Sequence, residues 1–79
     1  MVPGLVSACI RRLASDGETA EIEIHWRRGT DTARAWRQHQ DAILYAAGLL
    51  PSAWRAADGW ETACGGHVVE VVTARRRAT

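Results

Sequence analysis

The residues that could bind a metal or act as nucleophiles are few, and two of them flank one short turn. Cys64 and His67 lie on either side of Gly65-Gly66. The other thiol and imidazole groups of the chain are Cys9, His25 and His39. A structural zinc site needs about four converging ligands, whereas this turn supplies two. We therefore predict no metal site and no cofactor.

Catalysis by a cysteine requires a stabilised thiolate, a base and a third group that orients the base. In a two-residue hairpin turn, Cys64 and His67 would lie opposite each other and point to the same face of the sheet. If that face is the core, the thiol is desolvated and inert. We predict no catalytic residue. We expect Cys9 and Cys64 to be free, buried thiols in a reducing cytoplasm. The alternatives are an intramolecular disulfide in an exported chain and a disulfide-linked dimer through an exposed cysteine.

Acidic residues form the first charged group that could recognise a partner. Glu21 and Glu23 project from one face of a predicted strand, and Glu61 and Glu70 project from the non-core face of a predicted C-terminal hairpin. If these strands share one sheet, its open face presents all four carboxylates. Such a face could dock on a basic groove that normally holds nucleic acid. The alternative is an ordinary solvated sheet face.

Arginines form the second charged group. They lie around a predicted strand–helix junction, at Arg27, Arg28, Arg34 and Arg37. Trp26 and Trp36 lie nearby, and such a mixture can contact phosphates and stack on bases. However, Lys, Phe and Asn are absent from the chain, which indicates a GC-rich gene in which arginine is used wherever any cation would serve. Nucleic-acid binding is therefore the alternative rather than the first hypothesis.

The length and composition predict a single small domain over residues 1–79. With 47% hydrophobic and 24% charged residues the chain is globular. A net charge of +1 is too small to attract the whole protein electrostatically to DNA or to anionic membranes. No apolar run is long enough to span a membrane, and the first residues do not resemble a secretory signal. We expect a cytoplasmic protein in a bacterial host, with no membrane partner.

The elements follow from the hydrophobic periodicity. Residues 20–27 alternate between apolar and polar as a half-buried strand does. Residues 31–47 form a helix, with Thr30 or Asp31 as N-cap, Gly48 just after its end and Pro51 preventing continuation. Residues 5–14 fit either a helix or a strand, and we favour a strand that pairs with residues 19–27 through the turn at 15–18.

The C-terminal half completes the predicted sheet. Residues 60–64 and 67–73 form a hairpin that places Trp60, Val69 and Val71 in the core, and residues 53–57 form a weaker strand. The predicted fold is α+β, an antiparallel sheet of four to five strands with one helix on one face, in the order β-β-α-β-β(-β). A short basic tail follows at 75–79.

Two resemblances to known families follow from these features. Gly65-Gly66-His67 before an apolar strand resembles the catalytic region of small toxin ribonucleases, which implies a cleaving His67. The size and layout of the whole chain resemble the small anti-CRISPR proteins of phages and mobile elements. This second resemblance implies a non-enzymatic inhibitor, a monomer or homodimer, that binds a protein or ribonucleoprotein partner such as a CRISPR effector and blocks its nucleic-acid binding.

Overall fold

Four strands and one helix make up the fold in a computed structural model, which describes residues 2–56 and 68–78. The elements are β1 (Leu5–Leu13), β2 (Thr19–Trp26), α1 (Thr32–Ala46), β3 (Trp54–Ala56) and β4 (Val69–Arg76). The strands form one antiparallel sheet in the order β1-β2-β4-β3. The predicted α+β class is confirmed, with α1 on one face of the sheet.

β1 and β2 form the predicted N-terminal hairpin. The Ala14 N–H donates to the Thr19 carbonyl at 2.9 Å, and Gly17 takes the positive φ of 72° that closes the turn. Residues 5–13 are thus a strand rather than a helix. Its pairing with β2 shifts register between Leu5 and Ser7 and again between Ile10 and Arg12, so β1 carries two bulges.

The helix begins and ends where its capping residues predict. Asp31 is the N-cap, and its carboxylate accepts from the Arg34 N–H at 3.1 Å. At the other end Gly48 has a φ of 94°, and the Leu49 N–H returns to the Leu44 carbonyl at 2.9 Å. The helical backbone is interrupted once, at His39, where φ is −134° and ψ is 28°.

The core lies between the helix and one face of the sheet. β2 contributes alternate residues of its strand, and Trp36, Ile43 and Leu44 come from α1. The buried residues of β2 are Ala20, Ile22, Ile24 and Trp26. Trp54, at the start of β3, is also buried, and the guanidinium of Arg76 lies 5.7 Å from its ring centre.

The face assignment predicted for the last strand is wrong. Glu70, Val72 and Ala74 point into the core, whereas Val69 is exposed and Val71 half-buried. The register explains this, because Glu70 pairs with the buried Ile24 and must share its face.

The limits of β4 also differ from the prediction. β4 runs on to Arg76 and pairs with β3, so part of the predicted basic tail belongs to the sheet. The predicted strand over 60–64 and the turn at Gly65-Gly66 lie outside the described residues.

Candidate interaction surface

The sheet face opposite α1 is left uncovered by the described elements. Its central strand is β2, whose polar residues alternate with the core residues and are half-buried by their neighbours. The side chains on this open face, grouped by cross-strand register, are Ser7, Cys9 and Arg12 from β1, Thr19, Glu21, Glu23 and His25 from β2, and Val69, Val71, Thr73 and Arg75 from β4. The open face therefore combines two carboxylates with apolar and basic neighbours.

Glu23 and His25 form an ion pair at the middle of the open face. Glu23 Oε2 lies 2.7 Å from His25 Nε2, and the two side chains are 32% and 40% exposed. The contact is between two opposite charges only when the His25 imidazole is protonated. At this exposure such a pair contributes little to stability, but it orients both side chains on the surface.

Cys9 is exposed, free and directly across the strand pair from Glu23. The prediction that this thiol is buried is wrong, because the bulges of β1 and its position at the sheet edge leave most of the strand open to solvent. The other predicted buried thiol, Cys64, lies outside the described residues.

Only two of the four predicted carboxylates are shown to share the open face. Glu21 and Glu23 lie there, as predicted. Glu70 does not, because it is 3% exposed and faces the helix. Its Oε2 accepts from the Thr32 hydroxyl at 3.2 Å. Glu61 lies outside the described residues. The acidic surface is therefore smaller than the sequence pattern indicates.

A basic residue also borders this smaller acidic surface. Arg12 is the cross-strand partner of Glu21 on one side, and Thr73 is its partner on the other. These three residues line a shallow groove of about 240 Å³ at the β1–β2 turn end of the sheet. The open face is thus mixed in charge, with its carboxylates at the centre and arginines at its margins.

The four arginines of the predicted basic group are all exposed. Arg27 and Arg28 lie in the turn after β2, and Arg34 and Arg37 lie on the outer side of α1. Asp31 lies between the two pairs in the sequence and is used as the helix cap. The structure thus keeps all four guanidinium groups accessible at the junction.

The aromatic residues next to these arginines are not available to stack on bases. Trp26 and Trp36 are 1% and 0% exposed, and Trp54 is also buried. In the described part of the chain the large exposed aromatic side chain is Tyr45, near the C-terminal end of α1. A nucleic acid would therefore meet phosphate-binding groups at the junction, without a tryptophan platform.

A cleft of about 380 Å³ lies beside the first half of α1, between the helix and the segment before β1. Its lining includes Thr30, Asp31, Arg34, Gln38 and His39. Within residues 2–56 and 68–78, no group of three or more His, Cys, Asp or Glu side chains is arranged to hold a metal ion. His67, the proposed cleaving residue of the ribonuclease alternative, lies outside the described residues.

Sequence reasoning missed one exposed apolar stripe, on β1. Ile10 and Leu13 are 42% and 57% exposed, and Val6 is exposed as well. The sequence pattern fitted Ile10 and Leu13 to the apolar stripe of a helix, the alternative that we did not favour, and it assigned no face to these residues in a strand. The available signal was the position of β1 as the first strand of a hairpin, and among the described strands β2 alone lies next to it in the sheet.

Comparison with known protein families, with curated proteins and with solved structures finds no match to this chain. A search of the described helices finds none that is long and apolar enough to cross a membrane. The fold is therefore shown by the structure itself, and the function rests on the chemistry of its surfaces.

Proposed function

We propose that the protein is a non-enzymatic interaction module that binds a partner protein through the open face of its sheet. The observation that carries this proposal is the Glu21–Glu23 row on the open face, in which Glu23 lies opposite Val71 and Glu21 lies opposite Thr73. Protein interfaces combine apolar contacts with oriented polar groups and a charged rim. Arg12 and Arg75 supply that rim.

The partner that fits this surface best is a protein with a basic nucleic-acid-binding groove. Carboxylates in a row on a strand can occupy positions where phosphates would lie, and complementary charge accelerates the encounter. Occupation of the groove would exclude the nucleic acid. The resemblance in size and layout to anti-CRISPR proteins supports the specific form of this proposal, in which the partner is a CRISPR effector complex.

The first experiment measures inhibition directly. The protein is expressed in bacteria that carry an active CRISPR effector, and the cells are transformed with a plasmid that the effector targets. We expect wild-type protein to restore transformation for the effector type that it binds. Restoration should fall when Glu21→Arg or Glu23→Arg is introduced, because each places a cation against a basic groove.

Asp41→Arg is the matched control, because it changes the net charge by the same amount on the exposed outer side of α1. If Asp41→Arg reduces inhibition as much as Glu21→Arg does, charge alone decides the effect and the open face is not the interface. If no effector type in the panel is inhibited, the CRISPR form of the proposal is wrong. Binding to another nucleic-acid-binding protein, in competition with duplex DNA or RNA, would then support the broader proposal of a partner with a basic groove.

The exposed arginines favour a second candidate, direct binding of nucleic acid through phosphates. Arg27, Arg28, Arg34 and Arg37 are all accessible. Binding to naked duplex would weaken steeply with salt, and removal of one phosphate contact reduces the slope of log K against log salt by about one. Fluorescence anisotropy with labelled DNA and RNA tests this. No binding at low salt would exclude it.

A further inference from the structure

The outer edge of β1 is the longest unpaired edge among the described strands. β1 has nine residues and lies at the end of the sheet, whereas the opposite edge strand, β3, has three. Most β1 residues are exposed. Natural proteins usually shorten, cover or charge such edges, because the free N–H and C=O groups pair readily with another strand. β1 carries Arg11 and Arg12 toward its end, but its centre, Ala8–Ile10, has no charged residue.

The apolar residues of β1 are arranged symmetrically about Cys9. By register with the buried residues of β2, four β1 residues point to the helix side of the sheet: Leu5, Ala8, Ile10 and Leu13. An antiparallel strand centred on Cys9 of a second copy would place Leu5 opposite Leu13 and Ala8 opposite Ile10. Residues opposite each other share a face, so this register brings all four into one apolar stripe.

This stripe is incompletely covered in one chain. Leu5 and Ala8 pack against the core, whereas Ile10 and Leu13 are 42% and 57% exposed although they lie on the helix side. In the two-fold arrangement the exposed Leu13 of each copy meets the partly buried Leu5 of the other. Each subunit would therefore cover the apolar end that the other leaves open.

We propose that the protein forms a two-fold symmetric dimer through antiparallel pairing of β1 with β1 of a second copy, centred on Cys9. The two sheets then become one continuous sheet, with both helices on the same side. Such an isologous contact is closed, because the same strand edge is used by both subunits. This inference is independent of the proposed function, although it would join two open faces into one.

Charge complementarity at the two ends of β1 supports a second copy of the chain as the partner that pairs with its free edge. The turn that follows β1 carries Asp16 and Glu18, both exposed. The opposite end carries Arg27 and Arg28, and the Arg27 N–H binds the Gly4 carbonyl at 2.7 Å, which fixes this basic turn beside the start of β1. Antiparallel pairing places the acidic turn of each copy next to the basic turn of the other.

The two bulges define where the new ladder can form. The register shifts lie near Val6 and Arg11, and a bulge interrupts regular pairing locally. The main-chain hydrogen bonds between subunits are therefore confined to the central segment around Ala8–Ile10. The leucine contacts and the charged ends on either side then contribute the rest of the affinity.

The test is the oligomeric state of the full chain, measured by sedimentation equilibrium over a range of concentrations. We expect a reversible monomer–dimer equilibrium for the wild type. Leu13→Glu should raise the dissociation constant by about tenfold or more, because it places a charge in the apolar stripe. Leu50→Glu is the matched control, since Leu50 is 60% exposed and lies after α1, away from β1. A wild type that remains monomeric at millimolar concentration overturns the proposal.

A charge swap tests the register without disturbing the core. Glu18→Arg and Arg28→Glu should each weaken the dimer, and the double variant should regain most of the wild-type affinity. Circular dichroism of each variant verifies that the fold is retained. If the loss of dimerisation free energy in the double variant equals the sum of the two single losses, the charged ends do not meet. The Cys9-centred register is then wrong.

Discussion

Thr32 and Glu70 join the first turn of the helix to the central strand β4. The Thr32 hydroxyl donates to Glu70 Oε2 at 3.2 Å, and both residues are buried, at 2% and 3% exposure. The carboxylate lies beside the N-terminal end of α1, where the helix dipole and the free N–H groups favour negative charge. A polar contact therefore fixes where the helix sits on an otherwise apolar sheet face.

Removal of the hydroxyl from this contact should destabilise the fold. Thr32→Val retains the shape of the side chain but leaves Glu70 Oε2 without this donor, and we expect a loss of about 1–3 kcal/mol in the free energy of unfolding. Urea denaturation followed by circular dichroism measures it. Thr73→Val is the control, because Thr73 is exposed on β4. Equal losses for the two variants would contradict a specific role for the Thr32–Glu70 contact.

The close approach of Gly4 to Thr30 provides a second stability test. A β-carbon added at Gly4 would lie 2.6 Å from Thr30 Cγ2, and φ at Gly4 is +82°. Gly29 has a similar φ of +85°, but a β-carbon there would meet open space.

Gly29→Ala should therefore cost about 1 kcal/mol from backbone strain alone. Gly4→Ala should cost clearly more, because the clash is added to the strain. Thermal unfolding of the two variants compares them. Similar melting temperatures would show that Thr30 moves aside without cost.

The sequence was sufficient to predict the strand and the helix whose signals lie within a few neighbouring residues. The alternation over β2 and the caps Asp31 and Gly48 were each recognised from short patterns, and the structure confirms them. Pairing between distant segments was not predictable in this way. β3 pairs with β4, a partner that the sequence pattern did not assign, because strand partners are selected by packing across the whole sheet.

The candidate surface was predicted in part, for the same reason. Glu21 and Glu23 are held on the open face by the strict alternation of β2. β4 has apolar residues on both faces, so alternation could not decide which side Glu70 would take. The contact with Thr32 and the pairing with Ile24 decide it. Both depend on a helix and a strand far away in the sequence, which no local pattern encodes.

The burial of the tryptophans predicts a specific fluorescence result. In a Trp60→Phe background the remaining indoles are Trp26, Trp36 and Trp54, all buried. We expect their emission to be blue-shifted and weakly quenched by acrylamide. Addition of single-stranded DNA should leave the emission unchanged, since no base can stack on a buried ring. Strong quenching by DNA would show that at least one of the three tryptophans becomes accessible and would favour the nucleic-acid-binding alternative.

Cys9 provides the most direct test of the edge position of β1. Its thiol is free and exposed in the structure, so in a Cys64→Ser background the folded protein should react with one equivalent of Ellman's reagent at the rate of an accessible thiol. Cys9→Ser in the same background is the control and should not react. If the reaction requires denaturant, β1 is covered.

At high protein concentration, mild oxidation should link two chains through Cys9, because the proposed two-fold axis passes beside this residue and opposing strand positions lie within disulfide reach. Leu13→Glu should suppress the crosslink, whereas Leu50→Glu should not. A crosslink that forms equally in both variants would reflect random collision rather than pairing of the two edges.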